Sequence, residues 1–211
     1  MEKQTIEAVT ERTSRSFDQK RLDLPSYGVA RLVGSRASDS SLTGSTYVLT
    51  KLEDPLRSEV VLQESQCVPV PQALGVDEAL LAPPLAMALS FWDQLHLEIG
   101  EAAIYTDGDF FADLVGQVAV WRGGCPVIRL SSTPNKTPLV LGECQYMTDP
   151  DETVHQLRER IKEKPGFAAV DLSGRPETID LLLEVVPWWG RVLLAGRTRQ
   201  ALTVDIYNNV H

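Results

Sequence analysis

Residues 104–124 read IYTDGDFFADLVGQVAVWRGG. An apolar run gives way to a tight polar turn and then to an amphipathic helical pattern over 110–122. That rhythm is the first strand, turn and helix of a dinucleotide-binding fold. Such turns use glycine for a sharp bend, for close approach of the backbone to a pyrophosphate and for close helix–strand packing. Here the window is Asp107-Gly108-Asp109-Phe110-Phe111-Ala112. Ala112 preserves close packing, but Asp109 stands where a phosphate comes nearest. A carboxylate ~4 Å from a phosphate charge costs roughly 4 kcal/mol at an effective dielectric of about 20. Three readings follow. Asp107 or Asp109 caps the helix and takes the N–H groups a phosphate would otherwise use. Alternatively the turn is an altered but working cofactor loop, or the two carboxylates are oxygen ligands for a cation.

Downstream the pattern keeps alternating. Strand-like runs at 102–106, 126–132, 167–173 and 190–196 are separated by helical patterns at 110–122, 151–164 and 176–186, with a short helix near 135–142 and a weak strand at CQYMT. Alternation with short links implies right-handed crossovers and a parallel sheet covered on both faces. The end of the second strand reads VIRLSSTPNK, and the position that grips an adenosine ribose falls at Ser131. Ser131 and Ser132, with Arg129 and Lys136 nearby, suit the 2′-phosphate of NADP(H) better than NAD; the bland alternative is a polar strand end with solvated charges.

Upstream, YGVARLVGS, STYVLTKLE and SEVVLQESQCVPVP are β-type runs around a Ser/Gly-rich segment, and they predict a small antiparallel structure. GVDEALLAPPLAMALSFWDQLHL is helical, with Pro83-Pro84 breaking or kinking it. Residues 1–24 are polar and charged, either helical or frayed. The expected organisation is a polar segment at 1–24, a reduced β-rich lobe at 25–75, a linking helix at 76–99 and a Rossmann-like domain at 100–211. The fold class is therefore α/β, a doubly wound parallel sheet with a small N-terminal β lobe.

At 211 residues the chain can bury a substantial core, and its net charge of −9 disfavours nucleic acid and anionic membrane as main partners. No apolar run approaches the ~20 residues of a membrane span. The N-terminus has no secretory character, and Cys67, Cys125 and Cys144 are scattered, so a cytoplasmic protein is expected.

From about residue 58 onward the chain resembles the medium-chain (zinc-type alcohol) dehydrogenase/reductase superfamily. SEVVLQESQCVPVPQALGVDEALLAPPLAMAL is similar to the segment leading out of that family's catalytic domain. AAIYTDGDFFADLVGQVAVWRGG resembles its first strand, turn and helix, including Gln117 and Arg122-Gly123. VDLSGRPETIDLLLEVV and WWGRVLLAG resemble its fourth strand, fifth helix and fifth strand, with Gly174 and Gly196 retained as turn glycines. YGVARLVGSRASDSSL corresponds to the early strand and zinc-ligand turn.

The resemblance implies a nicotinamide-binding domain attached to a GroES-like β-domain. It also shows what is missing. Arg36, Ala37 and Ser38 stand where a ligand cysteine is expected, the segment carrying a His-Glu pair is absent, and Pro83 replaces the glutamate of a Glu-Pro-Leu-Ala stretch. Catalytic zinc needs about three such ligands, and His96, His155 and His211 are dispersed. The front lobe is short for a complete GroES-like domain, and the chain stops where a sixth strand would follow.

Phe110 and Phe111 are candidates to fill the volume a cofactor would occupy. Trp188-Trp189 stands in place of a Pro-Gly turn; it either packs under the N-terminal lobe or forms an apolar contact patch. The expectation is a dehydrogenase-derived protein without zinc or hydride-transfer chemistry, serving interaction, assembly or regulation as a homodimer or hetero-complex. The alternative is a zinc-independent NADP(H)-dependent oxidoreductase of the quinone-reductase kind.

Overall fold

Apolar residues spaced two apart on the strands and three or four apart on the helices sort the second half of the chain into a three-layer structure. The computed structural model describes residues 5–13, 27–35, 45–49, 59–106, 110–131, 143–146, 150–198 and 200–204. The chain divides into two compact units, Met1–Pro83 and Pro84–His211.

The first unit holds an antiparallel sheet of β1 (Thr5–Thr13), β2 (Gly28–Ser35), β3 (Thr46–Leu49), β4 (Glu59–Gln63) and β5 (Cys67–Pro69), in the order β4-β1-β2-β3-β5. A short helix α1 (Val76–Leu80) adds Ala79 to a small core with Val29 and Val48. The expectation of a helical or frayed N-terminus gives way here. The segment TIEAVTERT is rich in β-branched residues, which fit a pleated strand, and β1 pairs with both β2 and β4.

The second unit contains α2 (Ala82–Gln94), β6 (Ala102–Thr106), α3 (Phe110–Trp121), β7 (Val127–Ser131), β8 (Glu143–Tyr146), α4 (Pro150–Ile161), β9 (Phe167–Asp171), α5 (Pro176–Val185) and β10 (Arg191–Leu194). Pro83 and Pro84 fall in the first turn of α2, where the missing N–H groups cost nothing. Among the described residues the five strands run parallel in the order β10-β9-β6-β7-β8. Numbered within the unit, this is 3-2-1-4-5 read from the β8 edge, the doubly wound arrangement expected. The short helix expected near 135–142 lies outside the described residues.

Strand alternation assigns the two faces. Ala103, Tyr105, Val127, Ala168 and Val170 pack against α2 and α3, with Trp92 and Val115 among their neighbours. Ala102, Ile104, Ile128, Leu130, Phe167 and Ala169 pack against α4 and α5. Trp92 is fully buried, and its indole N–H donates to the Val115 carbonyl at 2.8 Å, tying α2 to α3. Gly116 lets α3 come down on β6: a Cβ there would lie 2.5 Å from the Tyr105 ring. No described helix is long and apolar enough to cross a membrane.

Candidate functional site

In an open parallel sheet the crevice forms beyond the carboxyl ends of the strands, where the strand order reverses. That reversal falls between β6 and β9, whose last residues are Thr106 and Asp171. Both side chains are fully buried, and they close on each other. The Thr106 hydroxyl donates to Asp171 Oδ1 at 3.0 Å and accepts from the backbone N–H groups of Leu172 (2.7 Å) and Ser173 (3.2 Å). Asp171 Oδ1 also accepts from the Ser173 N–H (3.1 Å) and hydroxyl (2.7 Å), and Oδ2 accepts from the Gly174 N–H (2.9 Å). The Ser173 hydroxyl in turn accepts from the Arg175 N–H at 3.2 Å. The donors of the β9–α5 loop that could meet an anion at the switch point are thus engaged by a carboxylate and two hydroxyls of the chain itself.

Gly174 and Gly196 belong to this closure. The N–H groups of Ala195 and Gly196 both donate to the Asp171 carbonyl at 2.8 Å, which brings the loop after β10 against the loop after β9. A Cβ on Gly196 would stand 2.2 Å from the Gly174 nitrogen; one on Gly174, whose φ is +61°, would stand 2.3 Å from the Arg197 carbonyl oxygen. Loop-to-loop packing accounts for both glycines without a ligand.

The second-strand residues are turned inward. Arg129 shares a strand face with Val127 and Ser131, the face toward α3. Its guanidinium lies under the first turn of that helix and donates to Asp113 Oδ1 at 2.9 Å, with both residues over nine-tenths buried. The expectation that Arg129 faces a cofactor phosphate is corrected: its charge is spent on a carboxylate of α3. Ser131 ends β7 with no exposed surface, and Ala112 is buried in α3 against the sheet. Asp107, Gly108, Asp109, Ser132 and Lys136 lie outside the described residues.

The aromatic residues divide. Phe111 is buried and meets Phe91 edge to face, ring centres 5.8 Å apart, so it belongs to the α2–α3 core. Phe110, at the start of α3, is 41% exposed. Trp188 and Trp189 are 80% and 93% exposed.

Among the described residues no group of three or more His, Cys, Asp or Glu side chains converges on a metal position. Among the described residues, the β9–α5 loop donors are engaged within the chain, Arg129 is paired with Asp113, and Ser131 has no exposed surface.

Thr106 and Asp171 did not stand out in the sequence, because attention at such folds goes to the first turn. A signal was present: each is a polar side chain ending a buried apolar strand, and Asp171 is followed by Leu-Ser-Gly, the setting in which aspartate bonds the backbone two residues on.

No family model matches the sequence, and no curated protein matches it. Solved structures do match in fold. 2R,3R-butanediol dehydrogenase from Bacillus subtilis superposes with a TM-score of 0.79 at 12% identity, covering 97% of this chain and 73% of that one. Galactitol-1-phosphate dehydrogenase from Escherichia coli gives 0.78 at 12% identity, covering 99% and 72%. A short chain alcohol dehydrogenase from E. coli CFT073, solved with NADH, gives 0.75 at 12% identity, covering 97% and 72%. At these identities the likeness concerns architecture: the chain has the fold of the medium-chain dehydrogenase/reductase proteins, a Rossmann-like sheet accompanied by a small β lobe.

Proposed function

We propose that this chain is a dehydrogenase-derived protein without hydride-transfer chemistry, acting in interaction, assembly or regulation. One observation carries the reading: the Asp171 carboxylate and the Thr106 hydroxyl occupy the loop N–H groups at the switch point. The inward Arg129–Asp113 pair supports it by holding the Arg129 charge within the α3–β7 packing. A dinucleotide would have to displace charge-assisted hydrogen bonds in a buried setting, where each is worth about 1.5–3 kcal/mol. Zinc plays no part in this reading, and a cytoplasmic setting fits Cys67 and Cys125, neither of which forms a disulfide.

Calorimetric titration of the full chain with NADPH and with NADH tests it. No saturable heat is expected up to about 1 mM nucleotide, a limit of roughly −4 kcal/mol. Saturable NADPH binding at micromolar concentration would overturn it in favour of a zinc-independent NADP(H)-dependent oxidoreductase.

A further inference from the structure

After β10 the chain passes over the loop that follows β9, and a single residue holds both. The Asp171 carboxylate accepts from the N–H groups of Ser173 and Gly174, while the Thr106 hydroxyl bonded to it takes the N–H of Leu172. The Asp171 main-chain carbonyl accepts from Ala195 and from Gly196, each at 2.8 Å. The Ala195 bond continues the parallel ladder of β9 and β10, in which Asp171 is the register partner of Leu194. The Gly196 bond goes beyond that ladder and turns the chain onto the β9–α5 loop. There the two backbones touch. A Cβ on Gly196 would meet the Gly174 nitrogen at 2.2 Å and the Leu172 carbonyl carbon at 2.7 Å. From the other side, a Cβ on Gly174 would meet the carbonyl oxygen and nitrogen of Arg197 at 2.3 and 3.0 Å. The grip reaches α5 as well, because the Ser173 hydroxyl donates to Asp171 and accepts the Arg175 N–H just before Pro176.

We propose that Asp171 makes these two loops one latch: when the β9–α5 loop lifts from its carboxylate, the chain leaving β10 is released in the same opening. Two features carry this. The contact at Gly174 and Gly196 is backbone on backbone, with no side chain between to absorb a shift. Residues 172–174 therefore cannot turn their N–H groups away from the carboxylate without displacing residues 196 and 197, since close-packed contacts switch between arrangements and do not stretch. Both anchors also belong to one residue, at the end of a strand whose five residues are all buried. The strand stays in place while the loops leave it, so the opening is local and lies below global unfolding in free energy. A group that engages the N–H groups of residues 172–174 thus moves the segment after β10 too, and the state of the switch point is passed to a second loop. The latch operates whether or not a nucleotide binds, so nucleotide calorimetry and amide exchange fail independently.

Native-state amide hydrogen exchange of the full chain, followed by NMR in low concentrations of urea, tests the latch. The amides of Gly174 and Gly196 are expected to share one opening free energy and one urea slope, both below those of Ile104 and Ala169 in the buried sheet. Thr106→Val and Ser173→Ala each remove a hydroxyl from the loop's grip and leave the acceptors of those two amides in place. Each variant is expected to speed exchange at Gly174 and at Gly196 by the same factor, about tenfold. Ser173 is only half-buried, so its alanine variant keeps the test open should Thr106→Val fold poorly. A Gly196 rate that stays put while Gly174 accelerates overturns the proposal, as do different urea slopes for the two. Exchange of both amides only together with Ile104 and Ala169 also overturns it, because no local opening then exists. So do folded variants that move neither amide.

Discussion

Asp171 shows how one side chain can settle the state of a crevice. Its oxygens accept from Thr106, from both donors of Ser173 and from Gly174, so the loop between β9 and α5 is held by the strand it leaves. Thr106 is its counterpart on β6, and replacing it with valine keeps the shape while removing the hydroxyl. The Leu172 N–H then loses its hydroxyl acceptor, and a loss of about 1–3 kcal/mol is expected from urea unfolding. An unchanged midpoint would show that the hydroxyl does not hold the loop. The glycines make a second prediction. Gly196→Ala drives a methyl group into the backbone of residues 172–174, and overpacking of that kind costs about 1–3 kcal/mol or more. The melting temperature of the purified variant checks it, and a neutral result would mean the two loops are not packed together.

Between helix and strand, the ion pair of Asp113 in α3 with Arg129 in β7 joins the first crossover to the sheet beneath it. Removing one member leaves the other charge buried, so Arg129→Met is expected to cost about 3–5 kcal/mol. Combining it with Asp113→Leu restores most of that stability, because an apolar pair of similar volume carries no desolvation penalty. A double-mutant cycle by chemical denaturation measures the difference; additive losses would contradict a direct pairing. This pair also marks where sequence reading stopped. The elements of the second unit were legible because their apolar periods are clean: IYT and VAV on β6 and α3, FAAV on β9, ETIDLLLEVV on α5. β1 was not, because Glu7, Glu11 and Arg12 mask its β-branched residues and its partners lie at 28–35 and 59–63. Arg129 read as a surface cation because a charge in a strand suggests solvent, and only the register of β7 shows that it faces α3.

At the scale of the whole molecule, the described residues at the carboxyl ends of β6 and β9 bond to one another, while Ile99, Trp121, Trp188 and Trp189 near the amino ends of the strands are exposed. Fold likeness to dehydrogenases says little about present activity, since activity resides in the site and not in the architecture. The distribution of indoles has an optical consequence. The chain has four tryptophans, of which Trp92 alone is enclosed, while Trp121, Trp188 and Trp189 stand mostly in water. Emission from the folded monomer will resemble that of the unfolded chain, and most of it will be extinguished by acrylamide. Intrinsic fluorescence will therefore follow unfolding poorly. It will report whatever covers those three rings by a shift to shorter wavelength and a resistance to the quencher, with the lone enclosed indole as an internal standard.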